Sequence, residues 1–198
     1  TITALIGYVS ARYIPELKAA APRTKNTWSP AAEFKHTLGY AFAHRSLALG
    51  VLGLSWFWLL GSVIMALLPP FTKFQLNADQ SVATGLIITA AIFIAIGAVT
   101  CGQLVKNARK VGYAAMCMGL SLSVIALLPK ATPSETLFTL TTLPVQAWAY
   151  FFGIVAFAFS SGFFTVPQFA LLQLKSDPRH KARTIAANNI MNSIFMVA

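Results

Sequence analysis

Charged residues are spaced so unevenly along this chain that long apolar segments lie between them. Four runs without charge contain 27, 26, 19 and 39 residues, over 46–72, 80–105, 111–129 and 136–174. A helix needs about 20 apolar residues to cross the hydrocarbon core of a bilayer, so each of the first three runs predicts one transmembrane helix. The last run is too long for one helix, and Pro144 divides it into an approach segment and a single span.

The predicted transmembrane helices cover residues 46–68, 81–101, 111–128 and 146–172. Residues 1–10 and 184–198 are apolar but too short to cross alone, and we expect the end of one transmembrane helix and the truncated start of another. Residues 11–45 are predicted to be a cytoplasmic central loop, and residues 46–198 a C-terminal transmembrane bundle. Without an initiator methionine or a signal-peptide pattern, the chain is expected to be a fragment of a larger membrane protein.

The composition favours the same class of protein. Apolar residues make up 57% of the chain and charged residues 10%, whereas a soluble globular protein has about 25% charged residues. The formal charge of +10 would also suit a nucleic-acid-binding protein. A mean hydropathy of +0.67 and the long apolar runs instead favour the basic loops of a membrane protein. We therefore expect an all-α integral membrane protein and no nucleic-acid partner.

The number of lysines and arginines alternates from one predicted loop to the next. The five loops contain 6, 1, 3, 1 and 4 of them, which places 13 of the 15 on one side of the membrane. By the positive-inside rule this side is the cytoplasm. The pattern predicts a multi-pass inner-membrane protein, with Lys18, Lys106 and Lys181 facing the cytoplasm and Lys73 and Lys130 facing outward.

The central loop contains one predicted helix. Ser29 and Pro30 suit an N-cap and a first helical residue. Beyond them, four apolar residues follow at helical spacing: Phe34, Leu38, Ala41 and Phe42. The spacing suits an amphipathic helix that lies on the inner leaflet, and it equally suits a solvated linker helix that binds no lipid.

Polar residues inside the predicted spans are neutral. All five acidic residues fall in loops or at helix ends, so the fragment has no intramembrane carboxylate for a proton relay. Asp177 and Pro178 suit the start of the last helix. On that helix Asn188, Asn189 and Asn192 form one polar stripe with Ser193. The stripe is interpreted either as interhelical hydrogen bonding or as a polar wall for a substrate headgroup.

Two more spans contain candidate cavity residues. Ser55, Trp56 and Trp58 lie near the middle of the first span, whereas tryptophan prefers the membrane interfaces. Such a pair suggests a cavity wall for an amphipathic ligand, with ordinary helix packing as the alternative. The fourth span contributes Ser161, Thr165 and Gln168 beside Pro167, where a bend is plausible.

The third span has small residues at four-residue spacing, which predicts a close-packing face: Ala115, Gly119 and Ser123. The chain has no Walker loop, metal-ligand cluster or Ser/His/Asp arrangement. Cys101 and Cys117 lie in apolar runs without ligand spacing. We therefore expect no metal, no cofactor and no catalytic residue, and this fragment is not expected to be an enzyme by itself.

Three segments resemble the bacterial lysophospholipid transporters of the major facilitator superfamily. They are LSWFWLLG at 54–61, GFFTVPQFALL at 162–172 and, most specifically, RHKARTIAANNIMNSIFMV at 179–197. The resemblance extends along nearly all of the chain. It implies the C-terminal half of a twelve-helix transporter, from the end of helix 6 to the start of helix 11. In that fold, helices 7 and 10 line the central cavity, which agrees with the spans that contain Trp56 and Gln168.

The resemblance also implies a function. Members of this family flip lysophospholipids such as lysophosphatidylethanolamine from the outer to the inner leaflet by alternating access, and the lipid is then reacylated. The expected partners are the lysophospholipid, membrane lipids and the missing N-terminal half of the transporter. By the same resemblance, the candidate residues would line the substrate cavity.

Two other functions are compatible with the sequence. The chain could belong to another facilitator-type exporter of drugs or amphiphiles, since a shared fold does not fix the substrate. It could also be the membrane module of a fused 2-acylglycerophosphoethanolamine acyltransferase and acyl-ACP synthetase, in which the same module occurs. A downstream acyltransferase motif in the native chain would favour the fused protein.

Overall fold

The computed structural model describes residues 2–13, 29–104, 109–129, 139, 145–178 and 180–197. These residues form seven α-helices and no β-strand: α1 Ile2–Arg12, α2 Pro30–Phe42, α3 Arg45–Phe74, α4 Gln80–Leu104, α5 Arg109–Leu127, α6 Val145–Lys175 and α7 Lys181–Val197. The expected sides of Lys18, Lys106 and Lys130 concern residues outside the described ranges.

Three of the described helices are long and apolar enough to cross a membrane. They cover Arg45–Phe74, Gln80–Gly102 and Ala147–Lys175, and an 18-residue stretch within each has a mean hydropathy of 2.1, 2.5 and 1.7, respectively. A shorter apolar helix, Val111–Leu127, occupies the third predicted span. Large apolar side chains on these helices face outward, as expected where lipid rather than water surrounds the protein. A helical protein compatible with a membrane is thus confirmed.

Helix α6 lies at the centre of the bundle and packs most extensively against α4 and α5, and also against α3. Helix α3 packs against α7, and α2 rests on both of them. Helix α1 packs against none of the other described helices. Two apolar clusters result, one at the junction of α2, α3, α6 and α7 and one around Tyr150 at the opposite end.

The closest helix crossing joins α4 and α6 through glycines. A Cβ atom at Gly162 would lie 2.5 Å from the backbone nitrogen of Ala98 and 2.9 Å from the carbonyl carbon of Gly97. The two backbones can approach this closely only because neither helix has a side chain there. The predicted packing face on α5 is wrong for the described bundle, since Ala115, Gly119 and Ser123 are exposed.

Helix α3 is longer than its predicted span because it continues through Pro69 and Pro70 to Phe74. Each proline removes one backbone donor. Beyond them, the hydroxyl of Thr72 donates to the carbonyl of Leu68, at 2.7 Å. Asn77 then adopts a φ of 50°, a left-handed conformation that asparagine tolerates better than most residues. The chain therefore reverses direction within a few residues and begins α4.

Tyr150 ties three helix ends together on that side of the bundle. Its ring is buried, and its hydroxyl accepts a hydrogen bond from Nε2 of Gln75 at 3.2 Å. The single phenolic proton can be donated to the carbonyl of Pro129, at 2.7 Å, or to that of Leu128, at 3.0 Å. The ends of α3, α5 and α6 are thereby linked through one side chain.

The two predicted helix starts have different outcomes. Ser29 caps α2, with its Oγ accepting from the Ala32 N–H and with Pro30 in the first turn, so this prediction is confirmed. The predicted start at Asp177 is wrong, because α7 begins at Lys181. The N–H of His180 donates to the carbonyl of Asp177 at 2.8 Å, which makes a separate turn before the helix.

Helix α2 is docked on the bundle through part of its predicted apolar face. Ala41 is fully buried and Leu38 is half-buried in the cluster that α2 shares with α3 and α7. Phe34 and Phe42, at the two ends of the same face, remain exposed. The middle of this face therefore packs on the bundle, and the phenylalanines at its two ends remain uncovered.

Candidate functional site

The predicted polar residues of α3 and α7 meet in a buried interface. The hydroxyl of Ser55 donates to Oδ1 of Asn192 at 3.0 Å, and both side chains are buried. One turn earlier on α7, Asn188 is 1% exposed, and its Oδ1 accepts no hydrogen bond. We call Ser55, Asn188 and Asn192 the α3–α7 polar interface.

The phase of α7 decides which of its amides belong to this interface. Thr184, Asn188 and Asn192 follow at intervals of four residues, so they form one row, and all three are buried. Asn189 lies about 100° away around the helix axis and is exposed. The structure therefore brings Asn192 to Ser55, buries Asn188 one turn earlier in the same row, and places Asn189 outside.

The side chain of Gln168 lies between α6 and α3. A Cβ atom at Gly53 would be 3.3 Å from its Nε2, and one at Gly50 would be 3.7 Å from its Oε1. The two glycines thus provide the space in which this amide lies across α3. Gln168 is half-buried there, near Phe164, whose ring lies 6.2 Å from that of Phe57.

The hydroxyl groups of Ser161 and Thr165 bond to their own helix. Ser161 is fully buried and donates to the carbonyl of Phe157 at 2.8 Å. Thr165 is half-buried and donates to the carbonyl of Ser161 at 2.9 Å. Both side chains therefore satisfy their donors without a ligand, and only their acceptor lone pairs remain for one.

The two tryptophans of α3 face different directions. Residues two apart on an α-helix are separated by about 200°, so Trp56 and Trp58 cannot form one wall. Trp58 continues the buried row of Leu47, Val51 and Leu54, although it is 38% exposed. Trp56 is 57% exposed on the other side of the helix. A cavity that meets the polar side of α3 can therefore include only one of them.

The geometry of this region suits recognition by neutral hydrogen bonds. The polar groups are amides and hydroxyls on α3, α6 and α7, of which α3 and α6 are long and apolar enough to span a membrane, and phenylalanines lie beside them. Amide oxygens accept hydrogen bonds from hydroxyl or ammonium donors without a fixed charge. Among the described residues no group of histidine, cysteine, aspartate or glutamate could hold a metal ion.

Comparison with known proteins adds no relative to this picture. No protein-family model, curated protein or solved structure matches the chain. The function therefore has to be argued from the residues of the chain and their arrangement.

Three features of the site were not predicted from the sequence. Gly50 and Gly53 make room for Gln168, and the spacing of two glycines on one helix was the available signal. Asn188 and Asn189 are the same type of residue, so the sequence did not show that Asn188 is buried and Asn189 exposed. A cluster that the sequence did not indicate also forms where α2 meets the start of α7 and the turn before it: His36, Tyr40, His180 and Arg183.

Proposed function

We propose that this chain is part of a membrane transporter that flips lysophospholipids, such as lysophosphatidylethanolamine, from the outer to the inner leaflet of the bacterial inner membrane. The observation that carries the proposal is the buried Oδ1 of Asn188, which has no hydrogen-bond partner. A buried polar atom without a partner costs free energy, so such an atom in a folded protein calls for an explanation. A substrate that donates a hydrogen bond to this oxygen during transport is one such explanation.

The chemistry of a lysophospholipid matches the groups that are present. Its glycerol hydroxyl and ethanolamine ammonium are donors that an amide oxygen accepts. Its acyl chain needs an apolar and aromatic surface, which Phe57, Phe164 and one of the tryptophans provide. The spans contain no carboxylate, in keeping with a neutral headgroup site rather than a cation relay.

In this proposal α3 and α7 separate during the transport cycle. Asn188 is buried in the described conformation, so a headgroup can reach it only when the α3–α7 polar interface opens. The hydrogen bond between Ser55 and Asn192 closes the interface one turn away. Because both helices belong to the same half of the proposed transporter, this opening is a movement within that half, in addition to the rocking of one half against the other. The fold context we propose is the C-terminal half of a twelve-helix major facilitator protein.

The replacement Asn188→Leu tests the proposal sharply. Leucine has a similar size and removes the unpartnered amide, so the unfolding free energy should rise or stay equal. If Asn188 accepts a substrate hydrogen bond, flipping of a fluorescent lysophosphatidylethanolamine should nevertheless fall, by about tenfold for one lost hydrogen bond in a buried site. The assay follows back-extraction by albumin from proteoliposomes that contain the complete transporter.

The matched control is Ala186→Leu, which adds the same side chain at an exposed position of α7. It should leave flipping unchanged. Normal flipping in Asn188→Leu would contradict the proposed role of Asn188. Loss of flipping together with loss of stability would assign this amide to packing, and transport of cationic amphiphiles in place of the lysolipid would favour a drug exporter.

A further inference from the structure

Helix α2 and the first turn of α7 form a basic and aromatic surface outside the α3–α7 polar interface. Tyr40 is stacked on His180 with ring centres 4.1 Å apart, and His36 meets it edge-on at 5.0 Å. The guanidinium of Arg183 lies 5.7 Å from the centre of the Tyr40 ring and donates to Nδ1 of His36. Arginine has only donors, so its positive charge is held at this point on α2.

An open hollow of about 490 Å³ runs along the same side of α2. Lys35, His36 and Tyr40 supply its polar lining, and small residues between them keep it open: Ala32, Gly39 and Ala43. Lys35 lines the hollow directly, and Arg183 lies next to it through its contacts with His36 and Tyr40, so two cations lie close to a space large enough for a phosphate group.

The apolar side of α2 lies next to this hollow. Phe42 follows Lys35 by seven residues, so the two share one face of the helix. Phe34 and Phe42 are 44% and 42% exposed, although Leu38 and Ala41 between them pack on the bundle. An exposed aromatic side beside a cationic side is the arrangement of a helix that lies at a membrane surface.

The position of α2 in the fold supports a membrane partner. It ends next to Arg45, the first residue of the membrane-compatible helix α3, and it packs on the start of α7. Lys175 ends α6 at the same end of the bundle, and Lys181 begins α7 there. This end is therefore rich in positive charge at the level where lipid headgroups would surround the helices.

We propose that α2 and the first turn of α7 bind the phosphate of an anionic membrane lipid. Lys35 and Arg183 contact the phosphate, and Phe34 and Phe42 enter the acyl boundary. This binding keeps α2 docked on α3 and α7. The proposal requires that the chain lie in a membrane, and it is independent of which substrate the protein transports.

The test titrates the detergent-solubilised protein with phosphatidylglycerol, phosphatidylcholine or inorganic phosphate and measures bound lipid by native mass spectrometry. Phosphatidylglycerol should bind more tightly than phosphatidylcholine. A lysine near an anionic lipid surface contributes about a fivefold difference in binding. Lys35→Gln should therefore weaken phosphatidylglycerol binding about fivefold. The matched control is Lys73→Gln, an exposed lysine at the opposite end of α3, and it should have no effect.

A second variant separates a lipid from a free anion. Replacement of both Phe34 and Phe42 by serine should weaken phosphatidylglycerol binding but leave inorganic phosphate unaffected, and circular dichroism confirms that the helices are kept. Equal binding of both lipids, or equal losses in Lys35→Gln and Lys73→Gln, would overturn the proposal. Full competition by inorganic phosphate with no effect of the phenylalanine changes would assign the surface to a soluble anion instead.

Discussion

Gly162→Ala should be among the most damaging single methyl additions in this bundle. The new Cβ would lie 2.5 Å from the backbone nitrogen of Ala98, 2.9 Å from the carbonyl carbon of Gly97, and closest of all to the carbonyl oxygen of Ile94. All three atoms belong to the backbone of α4, which cannot rotate away as a side chain can. Relief therefore requires that α6 move as a unit from α4.

The size of the effect follows from this geometry. Ordinary contacts begin at 3.4 Å, so the nitrogen contact alone requires a shift of about 0.9 Å. Overpacking of a well-packed core costs about 1–3 kcal/mol, and a collision with rigid backbone belongs at the upper end. Alanine favours an isolated helix over glycine by about 1 kcal/mol, which offsets only part of that cost. A net loss of about 2 kcal/mol in unfolding free energy is expected.

The assay is unfolding of the purified protein in mixed micelles, followed by circular dichroism as the denaturing detergent is increased. Gly119→Ala is the matched control, because a Cβ there meets nothing within 4 Å. It should be neutral or slightly stabilising. Gly153→Ala should lie between the two, since its nearest neighbour, 2.7 Å away, is the side-chain Cγ1 of Ile125, which can move. Equal stability of Gly162→Ala and Gly119→Ala would refute the close crossing of α4 and α6.

Three further predictions concern single polar groups. Ser55→Ala should lower the unfolding free energy more than Asn192→Leu does, because it leaves the buried amide oxygen of Asn192 unpaired. A double-mutant cycle of the two positions should give a coupling energy of about 0.6–1.7 kcal/mol. Additive effects of the two replacements would contradict the hydrogen bond. Tyr150→Phe should lower the unfolding free energy by about 1 kcal/mol, because it removes the hydroxyl while the ring stays packed. An unchanged midpoint of unfolding in denaturing detergent would argue against the link that Tyr150 makes between the ends of α3, α5 and α6. The carboxylate of Asp79 accepts hydrogen bonds from the Ser81 hydroxyl and from the N–H groups of Val82 and Ser81, and these bonds lower the pKa of Asp79. The cap that Asp79 forms on α4 should therefore stabilise the helix at neutral pH, and this stabilisation should be lost as the pH falls through the lowered pKa. Hydrogen exchange in the first turn of α4 should then accelerate on acidification in the native protein but not in Asp79→Asn, and identical pH profiles would exclude the cap.

The spans could be predicted from the sequence because their cause is local. An uncharged run long enough to cross a bilayer becomes a helix whatever its neighbours are, since its backbone groups must bond internally. The end of α3 could not be predicted in the same way. Pro69 and Pro70 are ordinary stop signals, and the helix continues because the fixed φ of proline is itself a helical value.

Helix packing was less predictable than helix position. The spacing of Ala115, Gly119 and Ser123 has the same form as a real close-packing face, yet these residues face outward. The crossing uses Gly97 and Gly162, which are 65 residues apart in the chain. A pattern of small residues marks a helix face that permits close approach, but only the arrangement of the other helices decides which face is used.

The polar stripe of α7 shows why two interpretations of one motif need not exclude each other. Asn188 and Asn192 lie on the same buried face, one turn apart, and have the same side chain. Asn192 accepts a hydrogen bond from Ser55, whereas Oδ1 of Asn188 has no partner. The hydroxyl of Ser55 reaches Asn192, and Val51, one turn before Ser55 on α3, is a buried apolar residue that offers no donor. In the function that we propose, the interhelical bond closes the interface and the open acceptor beside it receives the headgroup, and the bond can re-form when the acceptor loses its ligand.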